Sequence, residues 1–278
     1  MADLLRKCVF ELGYEIENRG YNATGRIFQY PDDMMVQEIW MQNIAVSFNL
    51  GVKYDQHFFR LYGGLGEYDH RTHAYLDQQG YKGIAHWTYS GSNIDVSKVA
   101  EKLKPGGIYA FKSTEADGQR MTALMQAAKQ LGYRMVTLNE LFGYEANTWH
   151  TTKESVLSEI MPAFSYQSSL DYDIFPGEAS WDVCLIQSRL VTLGYLKVDQ
   201  VDGIFGEGTS EGLRLFQAQL GRPASGAGDV ATLKQLFADD APVNPAILVD
   251  TPAPGAGVLL EEGDLVPSET MSSDAPAN

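Results

Sequence analysis

Four apolar residues, Val183, Ile186, Leu190 and Leu193, recur at spacings of three, four and three and stop at Gly194. That period lays them along one face of a helix, and the glycine supplies the left-handed stop. Leu213, Phe216 and Leu220 repeat the spacing in a second helix, with Thr209 as its expected N-cap. Asp229 is placed to cap a short third helix containing Thr232, Leu233, Leu236 and Phe237. Between the first two helices lies Val201-Asp202-Gly203-Ile204-Phe205-Gly206. Its glycines permit a tight turn, and the Asp202 carboxylate can accept backbone N–H bonds there. Three helices this short bury one small core, so residues 170–239 read as a small helical domain inside a longer chain.

The rest of the 278 residues follows a different rhythm. Residues 1–143 alternate helical and strand patterns. Leu4, Leu5, Cys8, Val9 and Leu12 fall at helical spacing before Gly13, and Pro31-Asp32-Asp33 opens a helix whose buried stripe includes Met35, Ile39 and Ile44. Strands are predicted over 57–62, 81–87, 108–112 and 133–138, with helices over 69–79 and 115–131. Strand–helix alternation implies an α/β unit with a mainly parallel sheet or barrel, here partial or distorted. Residues 144–169 read as a linker, with an amphipathic stretch over 152–164. Residues 240–278 contain seven acidic residues and no Lys or Arg, and Pro, Ala, Gly and Ser dominate, the composition of a solvated tail. Within it, 247–249 and 258–260 are short apolar runs able to dock.

Charge narrows the partners. Lys and Arg number 21 against 36 Asp and Glu, a net charge of −15, which disfavours nucleic acid and anionic membrane. No apolar run approaches the roughly 18–20 residues of a membrane span, and the first residues lack a charged-then-apolar leader. Cys8 and Cys184, far apart, make neither a disulfide framework nor a zinc site, and both are expected to be buried.

The helical unit resembles the three-helix bacterial peptidoglycan-binding domain. Val183, Ile186, Gln187, Leu190, Leu193, Gly194, Tyr195 and Leu196 match its first block. Val201, Asp202, Gly203, Phe205, Gly206 and Thr209 match the second, and Phe216, Gln217, Gly221, Gly226, Asp229, Thr232 and Leu233 the third. Gly212 stands where the family usually has Ala, at about 1 kcal/mol of helix propensity, and Val230 where it usually has Pro. The resemblance implies a peptidoglycan glycan or stem peptide as partner and a place at the cell envelope. A groove for such a ligand needs polar groups and an aromatic platform, which makes Tyr195, Asp202, Phe205, Thr209 and Gln217 the candidate ligand-binding residues. The 202–209 turn itself is expected to be mainly structural, with contacts from neighbouring exposed side chains.

The first unit resembles polysaccharide deacetylases, in degenerate and N-terminally shortened form. Glu17 to Asn22, Phe59-Arg60-Leu61-Tyr62-Gly63, Gly80-Tyr81, Gly106-Gly107-Ile108 and the block from Gly132 to Leu141 follow the family's order. The resemblance implies a metal held by one Asp and two His, with a further Asp and His as base and acid. Here the two metal-His positions fall on Arg19 and Ala23, and the His-Asp position carrying the acid falls on Lys112 and Ser113. Arg60 matches an arginine that orients the base, and the Asp-Asp motif has no counterpart. No catalytic residue, metal or cofactor is therefore expected. His70 and His73, beside Asp69, can share a helix face but lack a third ligand by spacing, and His57 and His86 flank strand ends. Gly63-Gly64-Leu65-Gly66 lacks phosphate-loop spacing. Three readings follow: a non-catalytic wall binder, an amidase or esterase with a relocated site, and a scaffold component of a larger bacterial or phage-derived assembly in which both domains bind protein and a partner covers the shortened first domain.

Overall fold

In the computed structural model, which describes residues 2–22, 26–151 and 159–246, helix α1 (Ala2–Arg6) continues into a wider π turn over Lys7–Glu11. Helix α2 (Asp32–Leu50) begins with two aspartates, which favour the positive end of its dipole. Met35, Ile39 and Ile44 are buried along it, as their spacing requires. Short strands β1 (Lys53–Tyr54) and β2 (Phe58–Phe59) precede α3 (His70–Gln78), and β3 (Gly83–Ile84) and β4 (Tyr89–Ser90) follow it. Next come α4 (Val99–Lys102), β5 (Tyr109–Ala110), α5 (Glu115–Gln130), α6 (Leu138–Phe142) and β6 (Trp149–His150).

The strands make an open, mainly parallel arrangement. β2 pairs parallel with β3, β4 with β5, and Asn18 bridges parallel to Phe59, while β1 and β6 pair antiparallel. Among the described residues no closed barrel forms. Strands expected over five to seven residues shrink to two, and 133–138 forms none, which corrects the expectation. The local reason is on both sides of that segment. The Tyr133 N–H donates back to the Ala128 carbonyl to finish α5, and the Thr137 hydroxyl caps α6 by accepting from the Glu140 N–H. What remains between them is too short to reach a neighbouring strand. Asn18, fully buried, anchors the opposite edge. Its side-chain amide donates toward the Ile39 carbonyl, Asn43 Oδ1 and the Tyr81 hydroxyl, and its Oδ1 accepts from the Gly20 N–H.

The helical unit forms α7 (Trp181–Thr192), α8 (Glu207–Gln219) and α9 (Val230–Leu236). Val183, Ile186, Leu190, Leu193, Leu213, Phe216, Leu233 and Leu236 close one core, completed by Ile174. Asp229 caps α9 as expected, accepting from the Thr232 N–H. One expectation is corrected. Gly206, not Thr209, is the N-cap of α8, because extended backbone at this glycine lets the helix start at Glu207. Phe237 closes α9 as its C-cap. Gly212 has a packing reason: a Cβ there would lie 3.0 Å from the Tyr195 carbonyl oxygen. Residues beyond the third helix fold back, with Asn244 donating to the Leu193 and Gly194 carbonyls and the Tyr195 hydroxyl donating to that of Pro242. The apolar runs 247–249 and 258–260 lie outside the described residues, as does most of the amphipathic stretch 152–164. Among the described residues no helix is long and apolar enough to cross a membrane.

The two units meet at a buried polar joint. Arg71, fully buried on α3, donates to the Tyr30 and Ile27 carbonyls at 2.6 and 3.1 Å and to Asp32 Oδ1 at 3.1 Å. Its guanidinium lies 4.2 Å from the Trp181 ring centroid. Asp69, also fully buried, caps α3 through the Thr72 N–H and accepts from the Thr72 hydroxyl, while its second oxygen accepts from the Trp181 N–H at 2.9 Å. One carboxylate thus joins the starts of α3 and α7. Nearby, the Tyr166 N–H donates to Asp32 and the Tyr166 and Tyr172 hydroxyls donate to Asp182.

Removing the guanidinium while leaving its acceptors buried is expected to cost about 3 kcal/mol. Arg71→Met should show that loss in urea denaturation of the full chain. Burial raises the Asp69 carboxyl above its usual 3.8, against the opposing pull of the Thr72 hydrogen bonds and the Arg71 charge. The folded chain therefore binds a proton that the unfolded chain releases, and this contribution to stability is lost as pH rises from 3.8 through the raised value. Asp69→Asn should remove that part of the pH dependence, read as the difference between the two melting-temperature profiles.

Candidate functional site

Two buried glutamines organise the helical module. Gln187 sits four residues after Val183 and three before Leu190, which turns its amide inward beside the apolar stripe. Its Oε1 accepts from the Asp202 and Gly203 N–H groups at 3.0 and 2.7 Å. Its Nε2 lies 2.9–3.0 Å from Asp202 Oδ1, the Ile204 carbonyl and Thr209 Oγ1, so two hydrogens are shared among three oxygens. Gln217 stands in the same relation to Leu213 and Leu220. It accepts from the Gly226 N–H at 2.8 Å and donates toward the Ala227 carbonyl, Ser225 and Thr232. Each glutamine holds the loop after its own helix.

This geometry places the expected ligand residues differently from their sequence reading. Tyr195, Phe205, Thr209 and Gln217 are all buried. Tyr195 and Phe205 fill the core, with Tyr195 edge-on to Phe216, while Thr209 and Gln217 are occupied by the hydrogen bonds above. They are scaffold, because a ligand outside the bundle cannot reach them. Asp202 is exposed, but its carboxylate accepts from the Ile204 N–H and from Gln187. The turn also faces the first unit: Gln29 Nε2 donates to the Asp202 carbonyl, and a Cβ on Gly203 would meet the Phe28 ring at 3.1 Å. The outer surface of α8 stays open instead, with Leu215 exposed and Arg214 paired to Glu207 and Glu211 at 2.9 and 3.1 Å. Val198 is exposed in the preceding loop, whose Gln200 side chain lies against Gly208 at the start of α8.

In the first unit the positions assigned to metal chemistry do not form a ligand set. Arg19, Lys112 and Ser113 are exposed, and Ala23 lies outside the described residues. Among the described residues no three His, Cys, Asp or Glu side chains gather as a metal group. Arg19, Lys112 and Ser113 offer neither imidazole nor carboxylate, so the residues at these positions do not fit the metal that the resemblance implies. The histidines have other partners: His70 packs on the Tyr172 ring, the His73 ring bonds the Glu67 carbonyl, His57 bonds Asn139 and His86 stacks on Trp87. Glu17 is a strut, accepting from the His57 and Phe58 N–H groups and from Asn147; burial nevertheless raises its carboxyl. Cys8 and Cys184 are free and half-buried, and burial pushes the Cys184 thiol up to about 11, which disfavours a thiolate. A cavity of about 540 Å³ lies between Asn18, β2, β5, α5 and the 133–138 segment. Arg60 lines it, its guanidinium 4.6 Å from the Trp87 ring centroid.

Residues 180–236 match the family model described as "Putative peptidoglycan binding domain". A search of curated proteins gives no match to this chain. Among solved structures, peptidoglycan deacetylase PdaC from Bacillus subtilis is similar at 14% identity and a TM-score of 0.42, over 51% of this chain and 69% of that one. A family 4 carbohydrate esterase from Streptomyces lividans in complex with acetate is similar at 16% identity and a TM-score of 0.41, over 49% of this chain and 72% of that one.

The glutamine networks have a direct consequence for stability. Gln187→Ala strands two N–H groups and a carbonyl, and is expected to cost about 2–4 kcal/mol; Asp202→Ala, at the exposed end of the same network, should cost about 1–2 kcal/mol. Chemical denaturation of the three proteins checks the order.

Proposed function

We propose that this chain is a non-catalytic peptidoglycan-binding protein: the helical module holds the wall, and the open α/β unit has lost deacetylase chemistry. The match of residues 180–236 to a peptidoglycan-binding family, on a module whose core is complete, carries the binding half of the reading. The loss of chemistry rests on the cations Arg19 and Lys112 at positions where the resemblance requires ligands and an acid, since like charge opposes a divalent metal. A place in the cell wall follows from the binding activity. Because the 202–209 turn faces the first unit, the contacts with glycan or stem peptide are assigned to the open surface of α8 and the adjoining loop, around Val198, Arg214 and Leu215.

Full-length protein should sediment with purified sacculi, and Leu215→Glu should weaken sedimentation while leaving the melting temperature within about 1 °C, since exposed substitutions change stability little. Failure of the parent protein to sediment, alongside a known wall binder that does, defeats the binding assignment. Elemental analysis should find no stoichiometric zinc, cobalt or nickel, and chitooligosaccharides should release no acetate. One tightly bound metal per chain, or acetate release, would instead favour an active esterase.

A further inference from the structure

The cavity of the α/β unit plays no part in wall binding as proposed, and its lining points to a ligand of another kind. Its walls are largely apolar, built from Trp87, Phe111, Leu124, Met125 and Leu138 among others. Its volume of about 540 Å³ falls within the range of roughly 300–1,000 Å³ common for small-molecule sites. Methionines on α5 give part of the wall a deformable surface, suited to a chain without fixed shape. Polar groups are few and of one dominant sign. Arg19, Arg60, Lys104 and Arg134, the last ion-paired to Glu140, line it against the single carboxylate of Glu17, which is already bonded to two backbone N–H groups and Asn147. This cationic rim stands out in a chain with net charge −15.

Arg60 is the focus. Its guanidinium stacks on Trp87, which fixes its direction, and among the described residues no carboxylate pairs with it. Burial and the nearby positive charge of Arg19 both make its protonated form less favourable than usual. An anion at this place relieves both effects. We infer that the cavity binds an aliphatic carboxylate, its hydrocarbon tail among the Trp87, Phe111 and Met125 side chains and its head group on Arg60. An extended peptide fits less well, because a strand needs hydrogen-bonding partners along its whole length and this lining is predominantly apolar.

Titration calorimetry on the full chain, below the micelle concentration of each probe, tests the assignment. Dodecanoate should bind saturably at one site per chain. Dodecyltrimethylammonium, with the same tail and opposite charge, and butyrate, with the same head and little tail, should each bind at least about tenfold more weakly, a difference of about 1.4 kcal/mol. Arg60→Gln should remove the preference for dodecanoate over the cationic amphiphile, and Arg60→Lys should keep it. Ala85→Phe, which places a ring inside the cavity, should abolish uptake with the melting temperature as the check on folding. Absence of saturable dodecanoate binding overturns the proposal, as does equal affinity for the two amphiphiles or full binding by Ala85→Phe. Sedimentation with sacculi is independent of these outcomes.

Discussion

Taking a guanidinium out of water costs several kcal/mol unless oxygens replace the lost hydration. Arg71 finds those oxygens within the first unit, and the second unit adds only an aromatic cover. The loop at 27–30 supplies two carbonyls, the start of α2 supplies Asp32, and the first residue of α7 covers the flat face with an indole ring. Asp69, two residues away, uses one carboxylate to start α3 and to hold the first N–H of α7. Asp69 Oδ1 finds its partner only across the boundary, in the Trp181 N–H, and the Trp181 ring covers Arg71. The joint therefore sets where α7 points, and α7 through Gln187 sets the turn that lies against Phe28 and Gln29.

The two units satisfy their backbone in opposite ways. In the helical module, side-chain amides reach into the loops and occupy the turn N–H groups and carbonyls one by one. In the α/β unit, two-residue strands leave long stretches of loop, and side chains such as Glu17, Asn18 and Asn147 do the joining. The first solution leaves a filled core. The second leaves a cavity walled by the side chains that a longer sheet would have brought together.

The helices were legible because periodicity depends on local geometry alone. Met35, Ile39 and Ile44 on α2 and the stripe from Val183 to Leu193 are buried where their spacing puts them. Strand length was not legible in the same way, since a strand exists only if a neighbour offers its edge. Residues 133–138 have strand composition, but Tyr133 is held by α5 and Thr137 by α6. The burial of the candidate ligand residues was hidden for a related reason. Tyr195, Phe205, Thr209 and Gln217 carry polar or aromatic groups that suit a groove, yet the same groups suit a core that must satisfy its own turns. The signal that separates the two uses is spacing: Gln187 and Gln217 each stand at plus four and minus three from core residues. The Arg71 joint had no such signal, because Ile27, Tyr30, Asp32 and Trp181 approach it from distant parts of the chain.

A side-chain amide is one of few groups that can accept and donate at the same reach, and each module loop depends on one. The isosteric acid lacks the donor half of that function. Slow hydrolysis of Gln187 would leave Asp202 Oδ1, the Ile204 carbonyl and Thr209 facing an oxygen in place of a donor, with a new charge placed beside the Asp202 carboxylate. Replacement of either buried amide by its acid would thus turn a satisfied loop into one that faces an unpaired acceptor and a buried charge, with no water at hand to compensate.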